Sequence, residues 1–100
     1  MNDYILLMHN DCTDLVVAND SVAWEHYFRL LHKSGFFDGG SEIGNGVTFR
    51  KTGQPGASCD HLSGYIRLRA TSLEHAQSFL SGNPVYEAGG TVEIRELPRD

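Results

Sequence analysis

An apolar, strand-like run followed by an amphipathic helix occurs twice in this chain, and that doubling limits the fold more than any other feature. Tyr4–Met8 leads to a helix over Ser21–Ser34. Leu62–Arg69 leads to a helix over Ser72–Ser81, and Thr91–Leu97 supplies a last strand. Four strands and two helices in 100 residues predict a two-layer α+β sandwich.

Tyr4-Ile-Leu-Leu-Met8 is apolar at every position rather than at alternate ones. A strand of that kind is buried on both faces. Two helices cover only one face of such a sheet, so a second copy of the chain is expected on the other. Among partners, the sequence therefore points first to itself, as a homodimer.

Trp24, Tyr27, Phe28 and Leu31 recur at the spacing of one helical face, with Glu25, Arg29 and Lys33 turned away. Asp20 or Ser21 can cap this helix, and Gly35 can end it. His9–Asp20 reads as a polar loop. Asn45-Gly46, between Ile43 and Val47–Phe49, is a hairpin-turn dipeptide, and Lys51–Asp60 reads as a mobile flap. In the second half Leu62, Gly64, Ile66 and Leu68 share one face, while His61, Ser63, Tyr65, Arg67 and Arg69 share the other. Thr71 with Glu74 matches a capping box, and Leu73, Ala76, Phe79 and Leu80 form the second apolar stripe. Val92 and Ile94 face one way; Thr91, Glu93 and Arg95 face the other.

Composition excludes several classes. A formal charge of −5 argues against nucleic acid as a partner. No apolar run approaches the roughly 18 residues of a membrane span. The opening Met-Asn-Asp-Tyr lacks a signal peptide's positive region, so the cytoplasm is the expected location. Two cysteines, Cys12 and Cys59, make no disulfide framework and are expected as free thiols. The 100 residues are expected to form one domain.

Several short motifs carry a resemblance. Tyr4-Ile-Leu-Leu-Met-His9, Trp24-x-x-Tyr27, Gly39-Gly40, Leu62-Ser-Gly-Tyr65, Ser72-Leu-Glu-His-Ala76 and Thr91-Val-Glu-Ile-Arg-Glu-Leu97 follow one another as in YCII-related proteins. The chain resembles that family over nearly its whole length. The resemblance implies a ferredoxin-like βαββαβ domain, an antiparallel four-stranded sheet with two helices on one face, pairing into a dimeric α/β barrel. Two departures stand out. The place of the relatives' Asp-Gly-Pro-Phe motif is taken by Thr52-Gly53-Gln54-Pro55. The aspartate of a His–Asp pair proposed in other relatives falls at Asn83, and its histidine falls at Ala23 or Trp24, with His26 nearby. Neither family site carries over.

Two constellations remain. In a ferredoxin-like sheet the end of the first strand meets the start of the third, which would bring His9 toward Cys59, Asp60 and His61. Such a set suits acid–base or thiol chemistry, or a borderline metal ion; the same residues also read as unrelated, solvated strand ends. His9 and His61 are the candidate catalytic residues, with no metal and no cofactor expected. Tyr65, Arg67, Glu93 and Arg95 share one sheet face and are the candidate ligand-binding residues, Arg supplying a planar fork of donors. They read also as a cross-strand ladder with Glu93 between Arg67 and Arg95, the commoner arrangement of opposite charges on neighbouring strands. The function expected is the binding of a small polar or anionic molecule at the dimer's sheet face. The alternative is a cofactor-free hydrolase, lyase or isomerase that moves a proton through a histidine.

Overall fold

The structure, a computed structural model, describes residues 1–99; Asp100 lies outside the described residues. Strand β1 (Asn2–His9) is followed by a short helix, α1 (Leu15–Ala18), and a long one, α2 (Ser21–Ser34). Strands β2 (Phe37–Glu42) and β3 (Leu62–Ala70) come next. Helix α3 (Leu73–Gln77) runs on into a 3-10 turn at Ser78–Leu80. The short α4 (Pro84–Glu87) precedes β4 (Val92–Leu97). The strands form one antiparallel sheet in the order β2-β3-β1-β4. With α2 and α3 on one face, this is the ferredoxin-like α+β topology.

Burial along β1 alternates although its hydrophobicity does not. Tyr4, Leu6 and Met8 are buried; Ile5 and Leu7 are only half-buried. The core joins Leu6 and Met8 to Ile66, Leu68, Tyr27 and Leu31. Ile5 and Leu7 therefore lie on the open face. Leu7 stands opposite Tyr65 and Glu93, and Ile5 opposite Arg67 and Arg95.

Local chemistry sets the ends of α2 where the sequence predicts them. The Asp20 carboxylate accepts from the Val22 and Ala23 amides at 3.0 and 3.3 Å, and Gly35 ends the helix at φ 79°. The start of α3 differs by one residue from the predicted box. Ser72, not Thr71, is the cap, its hydroxyl accepting from the His75 amide at 3.1 Å. The Thr71 amide instead donates to His75 Nδ1 at 3.0 Å, so His75 occupies the place expected of Glu74. Ser72→Ala should cost about 1 kcal/mol and Thr71→Val much less. Urea denaturation of the two variants measures the difference; equal losses would return the cap to Thr71.

Three elements depart from the sequence reading. The predicted polar loop contains α1, capped by Asp14. Beyond the end of the second helix a further one, α4, opens at Asn83-Pro84: the Asn83 side chain accepts from the Val85 and Tyr86 amides, and proline suits the first helical position. The Asn45-Gly46 hairpin does not form. The partner of β3 is the earlier segment Phe37–Glu42, and Gly40 explains the choice. A Cβ at Gly40 would come within 2.5 Å of the Tyr65 carbonyl, so only glycine lets the strands approach. Residues 43–61 leave the sheet, with Ile43 N still bonded to Ser63 O at 3.0 Å. Among the described residues no helix is long and apolar enough to cross a membrane.

Candidate functional site

Two sites emerge, one on each face of the sheet. The first follows from strand register. A shift between Met8 and His9 brings His9 opposite Leu62, and Asn10 N bonds the His61 carbonyl at 2.8 Å. Both imidazoles thereby reach the open face. Their ring centroids lie 4.8 Å apart with planes at 64°, edge to face. His9 Nε2 lies 3.0 Å from Glu93 Oε1. A carboxylate can only accept, so Nε2 donates and Nδ1 remains for the other role. Glu93 is also held by Arg95, whose Nε donates to Oε2 at 2.5 Å. The Arg95 guanidinium first, then His9, keeps the Glu93 carboxyl below the usual glutamate range.

Cys59 completes the row. Its sulfur lies 3.3 Å from His61 Nδ1 and 3.5 Å from Nε2. Near-equal distances to both nitrogens put the sulfur over the imidazole ring, not in line with either nitrogen, so this is a contact and not an aligned thiol–imidazole hydrogen bond. Asp60 contributes its backbone, the carbonyl accepting from Asn10 Nδ2 at 2.8 Å. Cys59 and His61 are exposed, while His9 and Glu93 are half-buried. Among the described residues no three His, Cys, Asp or Glu side chains are grouped to hold a metal ion.

The predicted ligand residues do share the open face. Glu93 pairs within its own strand with Arg95 and with His9, so the expected ladder from Arg67 is not formed. Arg67 has no hydrogen-bond or ionic partner among the described residues. Tyr65 and Arg95 flank Leu7 and Ile5 respectively. Because Glu93 is depressed, whatever stability its pairs contribute is present above the ordinary glutamate range and lost as pH falls through the lowered value. The melting-temperature difference between the protein and Glu93→Gln should therefore shrink below about pH 4. A difference that persists there would mean the pairs are not what Glu93 contributes.

The second site was not read from the sequence. A cleft of about 700 Å³ opens on the helix side, between the sheet and the α1–α2 corner. It exists because two helix-facing positions carry no side chain. Gly40 on β2 and Gly64 on β3 leave bare backbone as a floor; at Gly64 a Cβ would meet Met8 Cε at 3.1 Å and Ser41 O at 3.2 Å. Met8, Trp24, Phe28 and Val85 form apolar walls, and Asn10, Ser41 and Glu42 stand among the polar groups that line it. Trp24 and Phe28 stack with centroids 5.7 Å apart, and Trp24 Nε1 ties α2 to α1 through the Ala18 carbonyl at 2.7 Å. Trp24 thus serves core and cleft together. Cys12 also lines the cleft; burial, and then nearby Asp11, push its thiol up, which keeps it protonated at neutral pH. The available signal was glycine inside strand patterns, at Gly40 and Gly64, which marks close backbone approach.

Asn83, where the sequence resemblance would place an aspartate, is bonded to no imidazole among the described residues. It is fully buried, caps α4, and its Nδ2 lies 3.6 Å from Met8 Sδ.

Fold and sites together define a ferredoxin-like α+β protein with a helix-side cleft. Among solved structures the chain is similar to 5-chloro-2-hydroxyhydroquinone dehydrochlorinase (TftG) from Burkholderia phenoliruptrix AC1100, determined in complex with 2,5-dihydroxybenzoquinone. The TM-score is 0.58 at 12% identity, covering 98% of this chain and 95% of that one. At that identity the likeness establishes the fold alone. By sequence, the chain matches no protein-family profile and no curated protein.

Proposed function

We propose that this chain is a small-molecule-binding domain of the YCII-related kind, whose ligand sits in the helix-side cleft. The cleft carries the reading: its volume lies within the range of small-molecule sites, and apolar walls with a few polar groups are what such sites use. Its titratable lining residues are His9, Cys12, Glu42 and Tyr65; Cys12 is held protonated and His9 Nε2 is engaged by Glu93. The apolar walls favour binding over catalysis. A flat, oxygenated ring fits stacked aromatic walls with a polar edge, and the complex of TftG with 2,5-dihydroxybenzoquinone lends support to that class.

Trp24 is the only tryptophan and lines the cleft, so it reports occupancy directly. Titration with hydroxyquinones and hydroxybenzoates should change its fluorescence and raise the melting temperature. Ala18→Phe, which fills the cleft, should weaken binding at least tenfold, an expectation based on steric loss of the site. If no such compound binds at millimolar concentration, or Ala18→Phe binds equally well, the cleft is not the site.

A second reading rests on unpartnered Arg67. A polar or anionic molecule on the open face would meet Tyr65, Arg67 and Arg95. There His9, oriented by Glu93, could move a proton while an arginine steadies negative charge, the work of a cofactor-free enzyme. Arg67→Ala would then abolish binding and Ala18→Phe would not. In both readings a second copy covers the exposed parts of Ile5 and Leu7, as in a dimeric α/β barrel. Leu7→Lys should then yield single copies in sedimentation; an unchanged mass would reject that pairing.

A further inference from the structure

Residues 44–58 belong to neither site. They form an arm between β2 and β3, outside regular structure. The radius of gyration, 14.9 Å, exceeds the roughly 13 Å of a closed 100-residue domain, as a projection would make it. Long irregular connections inside small folds are usually functional.

The arm is rooted and shaped. Ile43 N bonds Ser63 O on one side, and Asn10 holds the Asp60 and His61 carbonyls on the other. The Ser58 hydroxyl donates to Gly46 O at 3.3 Å across the two limbs, and Arg50 Nη1 donates to Gln54 O at 3.2 Å. The arm nevertheless carries Phe49 at 90% exposure and Val47 at 76%. Its only charges are Arg50 and Lys51, giving +2. The whole chain is −5, so the remaining residues carry −7.

A complementary surface exists on the same chain. At the α1–α2 corner Val16 is 84% exposed, Leu15 and Val22 are exposed beside it, and Asp11, Asp14 and Asp20 lie within the same stretch. An aromatic and aliphatic tip with a cationic flank fits an aliphatic corner with an anionic one. Val47 and Phe49 stand exposed and are not seated on their own chain's corner, which leaves a second copy to offer it.

We infer that the arm is an interface with a second copy of this chain, Val47 and Phe49 seating on the partner's α1–α2 corner while Arg50 and Lys51 meet the acidic residues around it. In a two-fold pair the exchange is reciprocal. This contact is separate from the pairing of open sheet faces, which Leu7→Lys reports independently.

The test uses two proteins in a Cys12→Ser, Cys59→Ser background, one with Thr48→Cys, between the two seated side chains, and one with Val16→Cys. Mixed and treated with a short bis-maleimide, they should give covalent dimers. In addition, Phe49→Ser should raise the dissociation constant of self-association about tenfold or more. Either a sedimenting single copy at about 100 μM wild-type protein or an unchanged constant in Phe49→Ser would overturn the inference. So would a chain carrying both cysteines that links only within itself, which would make the arm a strap over its own cleft.

Discussion

Replacing Leu6 with alanine should lower the unfolding free energy by about 3–4 kcal/mol, whatever the protein concentration. Leu6 is fully buried at the centre of β1, opposite Ile66 and Ile94. Truncating a leucine at such a site loses transfer free energy and leaves a cavity, for about 2.7–5 kcal/mol in measured series. Small domains have only about 5–15 kcal/mol in total. Leu7, one residue on, has the same chemistry and faces the other way. In a single copy Leu7→Ala should cost about 1 kcal/mol, because part of its surface is already in water. If a second copy covers that face, the cost grows with protein concentration. Urea denaturation of both variants at two concentrations separates the cases. Equal, concentration-independent losses at the two positions would contradict the assignment of faces.

Asn83→Ala should cost about 3 kcal/mol. The side chain, itself without solvent access, accepts from two α4 amides and approaches Met8 Sδ. Loss of the cap contributes about 1 kcal/mol, and stranding buried amides without water contributes the remainder. The groups left without their acceptor are the backbone amides of Val85 and Tyr86. Asn83→Ser restores an acceptor at the cap and should recover about 1 kcal/mol. Denaturation of the pair distinguishes capping from packing: a serine variant no more stable than the alanine one would assign Asn83 to packing alone. The result also bears on the family comparison, because a residue engaged in capping is not free to orient an imidazole.

The row from Cys59 through His61 and His9 to Glu93 shows how far strand order carries. Placing the end of β1 beside the start of β3 was enough to bring His9 toward His61. The pairing of His9 with Glu93, 84 residues away, follows from β4 lying beside β1 on the other side. Residue types foretold the open face correctly, since Tyr65, Arg67, Glu93 and Arg95 all reach it. They did not foretell the partners. Glu93 sits between His9 and Arg95, not between Arg67 and Arg95, because β1 lies between β3 and β4: Arg67 is two strands away, while Arg95 is on the same strand as Glu93 and His9 is on the adjacent one.

The sequence by itself determined β1, β3, β4 and the extent of α2, with Asp20 and Gly35 at its ends. These rest on relations within about four residues: alternation, helical spacing and capping. Only the tertiary structure decided where β2 lies, that α1 and α4 exist, and that a cleft opens beneath Trp24 and Phe28. Those depend on which backbone stands against Gly40 and Gly64. A missing side chain becomes a binding surface only when distant segments close around it.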